Sequence, residues 1–186
     1  MNIICNKISK NIGILYRLKL LPKVILKMIY NAIVAPHFDY GITVWGSATN
    51  THLFRLFKLQ KRAMRIINHS GFLAHTPPIF KSLKILTLYD LYKYKLGIFM
   101  FLCHKNILPK SLLVHFCLNC NIHAYSTRNA ANFHLPKVRT FLMHNSIFYQ
   151  GPIIWNSLPE ETRNSNTLNI FKSKFKKHLI DKYCCL

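Results

Sequence analysis

His115, Cys117, Cys120 and His123 stand as H-x-C-x-x-C-x-x-H within nine residues, and all four are zinc-ligating types. The C-x-x-C spacing suits a turn that points two thiolates at one metal. Structural zinc sites, however, usually separate their two ligand pairs by roughly ten or more residues, and four ligands in so short a run strain a tetrahedron. No metal is therefore expected in this chain; His115, Cys117, Cys120 and His123 are the set that zinc would use.

Nucleotidyl transfer or hydrolysis by two metal ions needs convergent carboxylates to hold the cations. The chain has five acidic residues in all. Glu160 and Glu161 are the only adjacent pair, and Ser157-Leu158-Pro159-Glu160 reads as a capping box that makes them a helix start. Asp39 and Asp90 each stand far from any other acid in the sequence, and Asp181 lies in a basic tail. Glycine-rich phosphate loops and the nucleophile elbow are both missing. A self-sufficient catalytic site is not expected.

Against those five acids stand 26 Lys and Arg, for a formal charge of +21 over 186 residues. Self-repulsion of that size opposes a compact state unless a polyanion offsets it, and nucleic acid is the obvious polyanion. No stretch approaches the ~20 apolar residues of a membrane-spanning helix. The N-terminus is interrupted by Asn6, Lys7, Ser9, Lys10 and Asn11, so no secretory signal is expected and the setting reads as intracellular, nuclear or cytoplasmic. Six unevenly placed cysteines fit that reducing setting, and Tyr183 stands where a prenylation box needs its cysteine.

The elements that must position these residues are mostly α-helical. From Pro22 to Ala35 the apolar residues Val24, Ile25, Met28, Ile29, Ala32 and Ile33 recur at helical spacing, and Pro36 breaks or kinks the pattern. A second helix is predicted over residues 53–68, opened by Thr49, Asn50 or Thr51; a short one follows Pro77-Pro78, and a longer one runs from Leu88 to His104 with Thr87 as its cap. Residues 116–141 show no sustained period and read as loop with two short strands. Helical spacing returns from Asn145 to Ser157, and a last helix from Leu168 to Lys182 carries Leu168, Phe171, Phe175 and Leu179 on one face. A break near residue 108 divides a helical region, 1–108, from a loop-rich region, 109–186, that ends in a basic amphipathic helix.

In the second helix Arg55, Lys58, Arg62 and Arg65 share one face opposite Leu56, Leu59, Ala63 and Ile66, and no acid occurs between Asp39 and Asp90 to pair with them. Cations on one face of a helix that carries no acid suit phosphate contacts. The last helix repeats the design with Lys172, Lys174, Lys176, Lys177 and His178, although cations there also suit the helix dipole. Lys7, Lys10, Arg17, Lys19, Lys23 and Lys27 are interleaved with Ile and Leu rather than stacking aromatics, which favours backbone contacts over base recognition. Tyr92 and Tyr94 beside Lys93 and Lys95 are the best candidates for base stacking.

An ordered set of blocks spans nearly the whole chain: Ile12 to Leu15, Tyr30 to Gly41 with Val44-Trp45-Gly46, Leu59 to Ile67, His75-Thr76-Pro77-Pro78, Tyr125-Ser126-Thr127-Arg128, Gly151 to Pro159, and Phe171-Lys172. This set resembles the region that follows the polymerase core in non-LTR retrotransposon (LINE-type, Jockey-like) reverse transcriptases. The resemblance implies a helical thumb-like bundle that grips the template–primer duplex, followed by a C-terminal segment. Such enzymes hold magnesium on the aspartates of an Ala-Asp-Asp motif in the palm, and the chain contains no Ala-Asp-Asp. It is expected to begin downstream of that motif, with no cofactor and no enzyme activity of its own. Its expected partners are RNA or an RNA–DNA duplex and the upstream polymerase domain. The residues expected to touch nucleic acid are Arg55, Lys58, Lys61, Arg62, Arg65, Arg128, Lys172, Lys176 and Lys177. The alternative is an inert or interaction-only remnant whose apolar surface packs on the missing palm.

Overall fold

A computed structural model of the chain describes residues 2–122 and 129–184. Its α-helices, in chain order, are α1 (Asn2–Arg17), α2 (Lys23–Ile33), α3 (Ala35–Asp39), α4 (Ile42–Trp45), α5 (Asn50–Ile67), α6 (Pro77–Leu83), α7 (Leu88–His104), α8 (Lys110–Leu113), α9 (Phe141–His144), α10 (Ile147–Asn156), α11 (Glu160–Arg163) and α12 (Leu168–Asp181). Among the described residues no helix is long and apolar enough to cross a membrane. The chain forms two compact units, Met1–Tyr92 with Lys177–Leu186, and Lys93–Lys176. The sequence break at residue 108 falls inside the second of these.

In the first unit α1 packs on α5 and α2. Helix α1 buries Ile8, Ile12 and Leu15, spaced four and three apart, and the Asn11 amide donates to the Ile33 carbonyl at 2.6 Å. Helix α2 departs from the predicted face. Its buried line is Leu26 and Tyr30, continued by Val34 beyond the helix, whereas Val24 (65% exposed), Ile25 and Met28 (64%) point outward. Both faces of this helix are apolar, so its period offers two solutions, and packing selects the one that places Tyr30 against α5.

The core seam of α5 is Leu53, Leu56, Gln60, Ala63, Met64 and Ile67, with Leu59 and Ile66 only half-buried. A glutamine thus replaces the expected leucine at the centre. Its amide nitrogen donates to the Leu86 carbonyl at 2.9 Å, and its oxygen accepts from the Leu88 N–H at 2.8 Å. The segment between α6 and α7 is thereby fastened to α5, and burial without those bonds would be costly. Burial pushes the Tyr30 phenol, which also accepts from Gln60 at 3.4 Å, up to about 12.

Helix ends follow one rule that the composition conceals. Helices α5, α6 and α7 close with the six-to-one backbone bond of a Schellman cap: Ser70 N–H to the Arg65 carbonyl, Ile85 to Phe80 and Ile107 to Leu102. The residue in the left-handed conformation is usually glycine, but here it is His69, Lys84 or Asn106, at φ 54°, 53° and 56°. Thr87 caps α7 as predicted, accepting from the Asp90 N–H at 3.2 Å and donating to the Asp90 carboxylate at 2.6 Å. The predicted capping box at Ser157 does not form. Ser157 ends α10 and donates to the Ile154 carbonyl, because Pro159 is already positioned to open α11.

The second unit is built on aromatic rings. Phe101 stacks on Phe171 at 4.6 Å between centroids, Trp155 lies 5.8 Å from Phe171, and Phe133 meets Trp155 edge-on at 6.0 Å. Gly97 permits the close approach of α7 to Phe175: a β-carbon there would enter the ring. Among the described residues, the two short strands expected between 116 and 141 reduce to one antiparallel bridge, Leu118 with Phe133, and a 3-10 turn over Asn119–Asn121. A side chain takes the place of the next strand. Asn156 accepts from the Phe133 N–H at 3.0 Å and donates to its carbonyl at 2.9 Å, so the ladder has no need to continue.

Candidate nucleic-acid interface

Eleven of the eighteen residues of helix α5 are Ala, Leu, Met, Gln, Lys or Arg, all good helix formers, with no glycine or proline inside it, and its buried seam fixes which residues face out. Arg55, Lys58 and Arg62 are exposed along one side, at spacings of three and four. The Lys58 ammonium rests 4.6 Å from the centre of the Phe54 ring, and the half-buried Lys61 lies 4.4 Å from that of Phe57. Arg65 is engaged within the fold: its Nε donates to the Ala74 carbonyl at 2.9 Å and its guanidinium lies 6.0 Å from the Phe72 ring centre. The outward cationic row is therefore shorter than the sequence predicts. Arg65 and Lys61 help shape the surface around it.

The lysines of α12 do not form one row. Phe171, Phe175, Leu179 and Ile180 are buried, Lys172 is half-buried, and Lys174 donates to the Glu161 carbonyl at 3.0 Å. Lys176 and Lys177 are exposed, but as neighbours on a helix they point about 100° apart. Tyr92 and Tyr94 serve packing: Tyr92 fills the space beside Gly46, and Tyr94 lies 5.8 Å from Phe175. Arg128 and His123 lie outside the described residues.

Of the remaining zinc-type side chains, the exposed His115 ring sits 5.0 Å from Phe148. Cys117 and Cys120 are exposed thiols directed at the Val114 carbonyl and the Asn121 side chain. Among the described residues no three His, Cys, Asp or Glu side chains gather around a point. Among the described residues the donor set does not fit the paired metal ions of polymerase chemistry.

A cavity of about 310 Å³ between the end of α1 and the end of α5 escapes sequence reasoning. Tyr16, Lys19 and Leu20 form one side, and Arg65, His69 and Ser70 the other. Lys19 and His69 are 50 positions apart in the chain and belong to no shared period. Only the packing of α1 on α5 brings them together.

Over 62 residues, or 33% of the chain, the sequence is 31% identical to the probable RNA-directed DNA polymerase from transposon X-element of Drosophila melanogaster. The match covers 7% of that relative's length. No protein-family model and no solved structure matches the chain. A stretch of this helical chain is thus related in sequence to a transposon reverse transcriptase.

Proposed function

We propose that the chain is a thumb and post-thumb region of a non-LTR, Jockey-like retrotransposon reverse transcriptase, and that it binds template–primer nucleic acid through phosphate contacts without a catalytic core of its own. The outward row of Arg55, Lys58 and Arg62 on α5 carries this reading, because a rigid helix with a buried apolar seam presents cations at the spacing of one face. Asp39 is the only acidic residue before Asp90, so the surrounding charge reinforces the row. In the parent enzyme, catalytic aspartates and their magnesium belong to the polymerase domain. Fluorescence anisotropy with an RNA–DNA duplex tests the proposal. Binding should weaken steeply between low and physiological salt with little sequence preference, and a salt-independent affinity would refute it.

The outward face of α2 favours a second reading, that the chain docks on the polymerase domain of the same parent protein. Val24 and Met28 are 65% and 64% exposed there. Co-expression with that domain should bury this face, and Met28→Asp should abolish co-purification.

A further inference from the structure

His69 occupies the left-handed position that ends α5, where glycine would be free of steric cost. Lys84 and Asn106 take the same conformation at the ends of α6 and α7, so what bears on a ligand is where the His69 side chain lies. That side chain is exposed and lines the cavity of about 310 Å³ together with Lys19 and Arg65. The Arg65 Nε is held by the Ala74 carbonyl, which fixes the guanidinium and leaves its Nη groups for a ligand. Lys19 is positioned beside Tyr16, 4.9 Å from its ring centre. Ser70 is braced at the rim by Asn68, whose amide donates to the Ser70 hydroxyl at 2.7 Å and whose oxygen accepts from Lys23 at 3.0 Å.

The lining thus offers two fixed positive charges and an imidazole N–H, with no carboxylate among the lining residues. A phosphodiester carries one negative charge, whereas a phosphate monoester carries about 1.5 to 2 near neutral pH. The charge of the pocket matches the monoester better. We infer that this pocket binds a phosphate monoester, either the terminal phosphate of a nucleic-acid strand or that of a free nucleotide. Lys19, Arg65 and His69 are its ligands. The strand-end form rests on the nucleic-acid reading above.

The test uses the full chain and a short single-stranded oligonucleotide ending in 5′-phosphate or 5′-hydroxyl. The phosphate should tighten binding about tenfold. Lys19→Ala and His69→Gly should each erase that preference, and His69→Gly should leave affinity for the hydroxyl-ended strand within about twofold. His69→Gly should melt at or above the parent temperature, since it relieves the left-handed residue, so its loss of preference is separable from unfolding. Arg62→Ala should weaken both strands equally. Equal affinity for the two ends, or a preference retained in both pocket variants, would overturn the inference.

Adenosine monophosphate separates the two sources. Competition at concentrations matching the phosphorylated strand points to a free nucleotide, and much weaker competition to a strand end. If no oligonucleotide binds at all, the reading of the α5 face fails and the pocket is still testable. Inorganic phosphate or adenosine monophosphate should then shift the His69 imidazole resonances, and the shift should vanish in Lys19→Ala. Absence of any shift would overturn the pocket as well.

Discussion

The Tyr183 hydroxyl donates to the Asp90 carboxylate at 2.8 Å and accepts from the Thr87 N–H at 2.9 Å. Tyr183, two residues beyond the end of α12, is thereby tied to the cap of α7, across 93 positions of sequence, and burial raises the phenol well above its ordinary value. Tyr183→Phe keeps the ring 6.4 Å from Phe80 but removes both bonds. A loss of about 1–3 kcal/mol is expected from urea denaturation. A variant as stable as the parent would mean that water replaces the hydroxyl without cost.

Gln60 is the polar group on which the core of the first unit depends. Gln60→Leu nearly preserves volume but leaves the Leu88 N–H and the Leu86 carbonyl without this partner in a buried setting. The expected cost is about 2–4 kcal/mol in chemical denaturation, larger than for a leucine replaced within the same seam by methionine.

Gly97→Ala pits helix propensity against packing. Alanine favours a helix interior by about 1 kcal/mol, but its β-carbon would enter the Phe175 ring. The second unit should lose about 1–3 kcal/mol net, and Phe175→Leu in the same background should recover part of the loss.

Burial first, then the charges of Lys105 and Arg163, hold the His104 imidazole below its ordinary 6.5. His178 is lowered too, by burial and Lys182, partly opposed by Asp181. In both cases the unfolded chain binds the proton more readily. Stability is therefore full above about pH 6.5 and lost as pH falls from there toward the folded values. The urea midpoint should drop between pH 7.5 and 5.5, and by less in His104→Gln.

Arg55, Lys58 and Arg62 should contribute separately to binding. Each alanine substitution should lower the slope of log affinity against log salt by about one and weaken all duplex sequences alike. Lys61→Ala should change the slope less, because that ammonium is half-buried against Phe57.

The periodicity of the sequence determined that the chain is helical and placed α7 and α12 almost to the residue, since Thr87 and the spaced phenylalanines act locally. The scarcity of carboxylates argued against a catalytic site within the chain. Helix ends at His69 and Lys84 were illegible because neither carries the glycine that usually marks a left-handed helix end. Tertiary packing decided what a period cannot encode. An apolar stripe specifies an angle around a helix axis but not which of two stripes meets a neighbour, and so Leu26 and Tyr30 are inside while Val24 and Met28 are outside. The same packing made Gln60 a core residue, committed Arg65 to the Ala74 carbonyl and set Lys19 opposite His69. Charge and period belong to the chain as written, whereas the partners of each side chain exist only once the helices meet.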